Sequence, residues 1–189
     1  MVEYITTMKY IEKYLKPNMR VMEIGAATGR DSHALAQKGY RVDAVELVEH
    51  NIEIFKQNTI PGEHVTITQG NAMDLSDFES DTYDITLLLG PMYHLFTTED
   101  KLKALSEAIR VTKKGGIVFA AYCMGDASVL SYGFIRGEIY NIIEKCMLNT
   151  ETFDTFSNPW DIFELHRKED IEKLRSEFSV TQLHFIATD

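Results

Sequence analysis

The period of the apolar positions changes along this chain. Ile5, Met8, Ile11 and Leu15 recur at helical spacing, and Pro17-Asn18 stops the helix they predict. Residues 20–24 are a short apolar run ending at Gly25, the pattern of a strand. Residues 31–38 predict a helix closed by Gly39. Residues 40–46 are strand-like, with Val42 and Val45, and residues 49–58 are helical before the break at Pro61-Gly62. A third strand is expected over 65–68. A fourth, over 83–89, has the nearly continuous apolar character of a buried parallel strand. Residues 99–112 predict a helix with Leu102, Leu105, Ala108 and Ile109 on one face. Lys113-Lys114-Gly115-Gly116 then reads as a cationic helix end and turn before a fifth strand over 117–123.

Strands and helices thus alternate, the pattern of a parallel sheet covered on both faces, and right-handed crossovers leave few topologies. The expected architecture is a three-layer α/β sandwich with strand order 3-2-1-4-5. After Cys123 the rhythm is lost. An aromatic-rich stretch follows, with Tyr132, Phe134, Tyr140, Phe153, Phe156, Trp160 and Phe163. Residues 129–147 predict a helix, 149–159 an irregular stretch, 168–177 another helix, and 178–186 a sixth strand. The expected organisation is one domain over 1–189. It opens with an N-terminal helix over 1–16 and carries residues 125–167 as a substrate lid or as packing against the sheet.

Composition agrees. With 189 residues, 44% hydrophobic and 25% charged, the chain can bury a real core and is too apolar for disorder. The formal charge of −10 argues against a broad footprint for nucleic acid or an anionic membrane surface. Cys123 and Cys146 are too few for a disulfide framework and lie in apolar surroundings, so both are expected as buried thiols in a reducing compartment. The apolar runs are far short of the roughly 20 residues that span a bilayer. Glu3, Lys9, Glu12 and Lys13 rule out a signal-peptide reading of the N-terminus. A soluble, cytoplasmic monomer or homodimer is expected.

Four groups of residues carry candidate chemistry. In Val21-Met22-Glu23-Ile24-Gly25-Ala26-Ala27-Thr28-Gly29-Arg30, a strand ends in a small-residue loop that opens a helix, so a ligand can approach backbone N–H groups. A dinucleotide fingerprint needs Gly-x-Gly-x-x-Gly, but Ala27 stands at the middle glycine's place. Glu23 is awkward for a pyrophosphate and suits a ligand with an ammonium and a sulfonium. Glu46 closes the second strand, where a carboxylate can accept both hydroxyl protons of an adenosine ribose. In Gly70-Asn71-Ala72-Met73-Asp74, Asn71 can accept from an adenine amino group and the Ala72 N–H can donate to a ring nitrogen; the alternative for Asn71 is an Asx-turn. Last, Gly90-Pro91-Met92-Tyr93-His94-Leu95 leaves the fourth strand at the topological switch point, so Tyr93 and His94 could face a substrate. The six histidines are scattered and no acid pair has metal-ligand spacing, so no metal is expected.

Together these residues resemble the class I S-adenosylmethionine-dependent methyltransferases, from about residue 10 to residue 122, and most closely their small bacterial members of unknown substrate. The resemblance implies that Glu23, Gly25, Ala26, Ala27 and Gly29 surround the methionine part of the cofactor. Glu46 and Leu47 would take the ribose side, and Asn71, Ala72 and Met73 the adenine. Leu89 would contribute backbone near the sulfonium. It also implies a Rossmann-like fold and methyl transfer to a small molecule by in-line displacement, leaving S-adenosylhomocysteine. Positioning alone can contribute roughly 7–11 kcal/mol to such a step, so a base is optional. Tyr93 and His94 are the catalytic candidates. The family often has Gly at Ala27 and Asp at Asn71; its antiparallel seventh strand has no counterpart before Asp189, either lost or truncated. A nicotinamide-dependent oxidoreductase and a non-catalytic S-adenosylmethionine-binding protein are the competing readings.

Overall fold

The computed structural model describes residues 2–179 and 184–186. The first two thirds of the chain run α1 (Val2–Tyr14), β1 (Arg20–Ile24), α2 (Arg30–Gln37), β2 (Arg41–Glu46), α3 (Glu49–Asn58), β3 (Val65–Gln69), β4 (Tyr83–Leu88), α4 (Thr98–Val111) and β5 (Thr112–Ala120). The five strands form one sheet in the order β3-β2-β1-β4-β5, parallel at every junction. Val21 of β1 lies between Val42 of β2 and Ile85 of β4, which fixes the register. The chain winds outward from β1 to β3 and returns past β1 to β4. The crevice of the sheet therefore opens at the C-terminal ends of β1 and β4.

Period-two alternation sends the strand side chains to opposite faces, and in the central strands β1, β2 and β4 both faces are largely buried. On one, Val21, Val42, Ile85 and Leu87 pack with Met8 and Ile11 of α1 and Leu35 and Ala36 of α2. Further along the same face Ala44 meets Phe55 of α3. On the other, Met22, Ile24, Thr86 and Leu88 are all but inaccessible to water. Arg20 and Asp43 close the N-terminal edge of the sheet with an ion pair at 2.8 Å, and Asp43 also accepts from Thr66 and Tyr83.

The chain divides into two compact units. The sheet and its helices make the first, which holds the described residues up to Met92 and Glu99–Ala121. The second holds Tyr93–Thr98 and the described residues from Tyr122 on. In it β6 (Cys123–Met124) pairs in parallel with β7 (Leu165–His166). Between them lie α5 (Gly125–Ser128), a π-helical stretch Val129–Ile135 and α6 (Ile139–Glu144), and α7 (Lys168–Ser176) follows β7. Val129, Ile142 and Leu148 form this unit's small core.

Several expectations need correction. The turn expected at Lys113–Gly116 belongs to β5: Thr112 already pairs with Tyr83, and the register slips between Tyr83 and Ile85. Gly115 at φ +80° and Gly116, whose hydrogen faces the Asp84 carbonyl, accommodate that bulge. Cys123 is not the end of β5 but part of β6. The helix expected over 129–147 breaks at Arg136–Glu138, where Gly137 takes φ +79°. Cys146, expected as a buried thiol, is exposed at φ +54° after α6. In the sixth-strand segment 178–186, residues 180–183 lie outside the described residues, and the described ones carry no strand.

Candidate active site

The loop after β1 is shaped by three residues with positive φ: Gly25 (+77°), Ala27 (+48°) and Gly29 (+88°). Gly25 and Ala26 both donate their N–H groups to the Val45 carbonyl, at 2.8 and 3.1 Å. A side chain at Gly25 would meet the Pro91 ring at 2.7 Å. The space beside the Gly25 Cα is thus occupied by the protein itself. Gly25→Ala therefore destabilises the fold, by about 2–4 kcal/mol from the left-handed backbone and the clash together. A urea midpoint within error of wild type would contradict this. Ala27 also bears a side chain in the left-handed region, a conformation that glycine adopts at no steric cost.

Glu46 is the centre of the arrangement. It ends β2 and is buried. One carboxylate oxygen accepts the Ala27 N–H at 2.8 Å. The other accepts the Val48 N–H at 2.9 Å and the Asn51 amide at 3.3 Å. The backbone carbonyl of Glu46 accepts the Gly70 N–H at 3.0 Å, and the Gln69 amide donates to Leu47. A single residue thus joins the loops after β1, β2 and β3. Beside the buried carboxylate, Leu47 and Val48 are 60% and 49% exposed, an apolar shelf next to a fixed anion.

Asn71 forms an Asx-turn: its Oδ1 accepts the Met73 N–H at 3.0 Å. That oxygen keeps a second lone pair. Ala72 is buried and Met73 half-buried in the same turn, which closes through the Asp74 N–H to the Asn71 carbonyl. Leu89, just past β4, is half-buried and packs on the core.

Glu23 lies inside the end of β1, 3% exposed, and accepts from the Ser32 hydroxyl. Burial pushes its carboxyl up to about 8, and the charge of Asp31 adds to the effect; hydrogen bonds from Ser32 and the charge of Arg30 oppose it. Asp31 is buried as well, paired with Arg30 at 3.2 Å. Arg30 also lies over the Tyr4 ring of α1. A cationic group brought to this place would favour the ionised form of Glu23.

Tyr93 and His94 belong to the second unit. Their rings lie 4.8 Å apart, and each lies 5.4 Å from the Phe163 ring. The Glu164 N–H donates to the Tyr93 carbonyl at 2.8 Å, and His94 Nδ1 meets the Ile162 carbonyl at 2.9 Å. Among the described residues no group of three or more His, Cys, Asp or Glu could hold a metal, and no helix is long and apolar enough to cross a membrane.

Sequence reasoning missed Pro91 behind Gly25, Ser32 on Glu23, Asn51 and Gln69 around Glu46, and Phe163 beside His94. Only Asn51 carried a local signal, five residues beyond the acid on the following helix. Ser32 reaches Glu23 across the turn from β1 into α2, and the others meet partners distant in the sequence.

A methyltransferase-domain profile matches residues 21–116, more than half of the chain. The chain belongs to this family. Its fold is that of the class I S-adenosylmethionine-dependent methyltransferases, and the cofactor of that class is S-adenosylmethionine. A demethylmenaquinone methyltransferase of Clavibacter sepedonicus is 32% identical over 98 residues, 51% of this chain and 38% of its own. A ubiquinone biosynthesis O-methyltransferase of Hydrogenovibrio crunogenus is 24% identical over 169 residues, 88% of this chain and 66% of its own. The chain spans 35–44% of the length of several other curated relatives it matches. Among solved structures, the PH0226 protein of Pyrococcus horikoshii superposes with a TM-score of 0.67 at 20% identity, covering 92% of this chain and 79% of its own. A S-adenosylmethionine-dependent methyltransferase of Methanosarcina mazei gives 0.65 at 19%, covering 89% and 82%.

The residues present suit the cofactor. Glu46 offers a buried, fixed carboxylate with lone-pair capacity left on the oxygen that Ala27 engages with a single bond. Leu47 and Val48 offer apolar surface beside it. Glu23 offers a carboxyl that a cation would ionise.

Proposed function

We propose that this domain transfers a methyl group from S-adenosylmethionine to a small-molecule acceptor. The observation that carries the reading is Glu46, a buried carboxylate tied to the loops after β1, β2 and β3 at the open end of the sheet. When bound, the cofactor supplies an electrophilic methyl on a sulfonium, whose sulfur keeps the electron pair of the broken bond. Glu46 with Leu47 would hold the ribose side. The turn Asn71, Ala72 and Met73 would hold the adenine. Glu23, Gly25, Ala26, Ala27 and Gly29 would surround the methionine part, with Leu89 near the sulfonium.

The chain's own contribution is orientation. The loops are fixed by backbone hydrogen bonds before any ligand arrives, so little ordering remains to be done on binding. Tyr93 and His94 are the catalytic candidates, and residues 125–167 of the second unit are the candidate acceptor-recognising segment. The names of two relatives, a demethylmenaquinone methyltransferase and a ubiquinone biosynthesis O-methyltransferase, favour a small organic acceptor over a macromolecule. The net charge of −10 also disfavours a nucleic-acid substrate. Incubation with methyl-labelled cofactor and a fractionated metabolite extract tests the proposal. Label is expected in low-mass products. Label confined to protein or nucleic acid, or none transferred, would overturn it.

A further inference from the structure

Within the second unit, three rings meet: Tyr93, His94 and Phe163, with centroids 4.8–5.4 Å apart. Tyr93 and Phe163 stand edge to face, 81° apart, and Phe163 is 47% exposed. The two segments are joined by backbone as well, through the Glu164 N–H to the Tyr93 carbonyl. This is a built corner of aromatic surface, formed by residues far apart in sequence.

The tautomer of His94 follows from its partner. Nδ1 lies 2.9 Å from the Ile162 carbonyl oxygen, which can only accept. Nδ1 therefore carries a proton, and in the neutral ring Nε2 is the basic nitrogen. The ring is exposed, so a ligand can reach Nε2 and solvent can receive a proton from it.

The charges nearby limit what this corner accepts. Residues 93–98 and 157–166 contain no Lys or Arg but carry Asp161 and Glu164. Arg167, the next cation along the chain, is committed to Asp154 at 2.6 Å and to the Thr152 carbonyl. A carboxylate or phosphate ligand would find no counter-charge on these segments. A neutral planar ring finds aromatic faces to stack on, and a hydroxyl on that ring finds one basic nitrogen.

We infer that Tyr93, His94 and Phe163 bind a neutral aromatic compound bearing a ring hydroxyl, and that His94 Nε2 accepts the hydroxyl proton. This rests on the methyltransferase reading and names its acceptor class. The O–H bond breaks, the proton passes to Nε2, and the ring oxygen keeps the electron pair of that bond as a phenolate, the nucleophilic form of the acceptor. The imidazolium then returns its proton to water. An amine acceptor has no need of such a base before attack, because a neutral amine already holds a nucleophilic lone pair.

4-Nitrophenol, whose absorbance separates phenol from phenolate, tests the inference without turnover. At a pH slightly below its own pKa, the wild-type protein is expected to bind it and to raise the phenolate band. His94→Asn keeps a donor for the Ile162 carbonyl and lacks the basic nitrogen; it is expected to bind the probe without raising that band. Phe163→Leu, a mild change that keeps apolar packing, and Phe163→Ala are expected to weaken binding, the latter by about tenfold. Absence of probe binding by the wild type, a phenolate band that persists in His94→Asn, or unchanged affinity in both Phe163 variants would each overturn the inference. S-Adenosylmethionine is titrated in parallel: a protein that binds the probe as expected and not the cofactor overturns the methyltransferase reading instead.

Discussion

Replacing Glu46 with alanine is expected to weaken cofactor binding by about 1.5–3 kcal/mol through lost charge-assisted hydrogen bonds. The same change should also lower folding stability. The carboxylate holds the Ala27 N–H, the Val48 N–H and the Asn51 amide, and alanine leaves all three without this acceptor. These donors belong to exposed or half-buried residues that water can reach, so the loss is the net worth of the bonds, about 1–2 kcal/mol, and is expected even without ligand. Glu46→Gln separates the two effects. Its amide oxygen can still accept one of the backbone N–H groups, but its charge is gone and its NH2 faces donors. Stability should recover part of the loss, while affinity should not. Urea unfolding and calorimetry on the two variants check this. A Glu46→Ala protein with wild-type stability and affinity would remove the residue from the site.

The second large effect is a pH dependence set by Glu23. Its carboxyl has an ordinary value near 4.5 when unfolded and is pushed up to about 8 by burial in the fold, the charge of Asp31 assisting. The folded state therefore holds a proton that the unfolded state has released between these values. The stabilising contribution is complete below about 4.5 and is lost as pH rises toward 8, at about 1.4 kcal/mol per pH unit. Above 8 it is flat. Glu23→Gln, neutral at every pH, should remove the slope and be more stable than wild type in alkaline solution. Below pH 8, binding of the cationic cofactor should release a proton, visible as a dependence of the calorimetric heat on the buffer's ionisation enthalpy. Identical stability slopes for wild type and Glu23→Gln between pH 5 and 8 would contradict this account.

The strand–helix alternation was legible because the central strands β1, β2 and β4 are largely buried and so carry clear apolar runs. Residues 20–24 and 49–58 match β1 and α3 at both ends. The Lys113–Gly116 segment misled because polar and glycine residues there mark a bulge inside β5 rather than a turn before it. After Ala120 the pattern weakens. The second unit has a small core, and many of its aromatics, Trp160 and Tyr140 among them, are exposed. Burial no longer imposes a period there, so a long helix was expected where Gly137 interrupts one.

In the site, Glu46 was legible from its place at a strand end, and the glycine loop from its small residues. The supporting contacts were not. Pro91 against Gly25 joins loops after β1 and β4, and Ser32 reaches Glu23 from the helix after β1. The first follows from the sheet order, which sets β1 beside β4, and the second from the angle at which α2 leaves β1. The Asx-turn at Asn71 was one of two readings open in the sequence; the fold forms it, with a lone pair to spare for a ligand.

The most direct test is a calorimetric titration of S-adenosylmethionine, with NAD as the control ligand, into the wild-type protein and Glu46→Ala. Saturable one-to-one binding of S-adenosylmethionine by the wild type, marked weakening in Glu46→Ala, and no binding of NAD by either are expected. Binding of NAD in preference to S-adenosylmethionine, or equal affinity for S-adenosylmethionine in wild type and variant, would contradict the account.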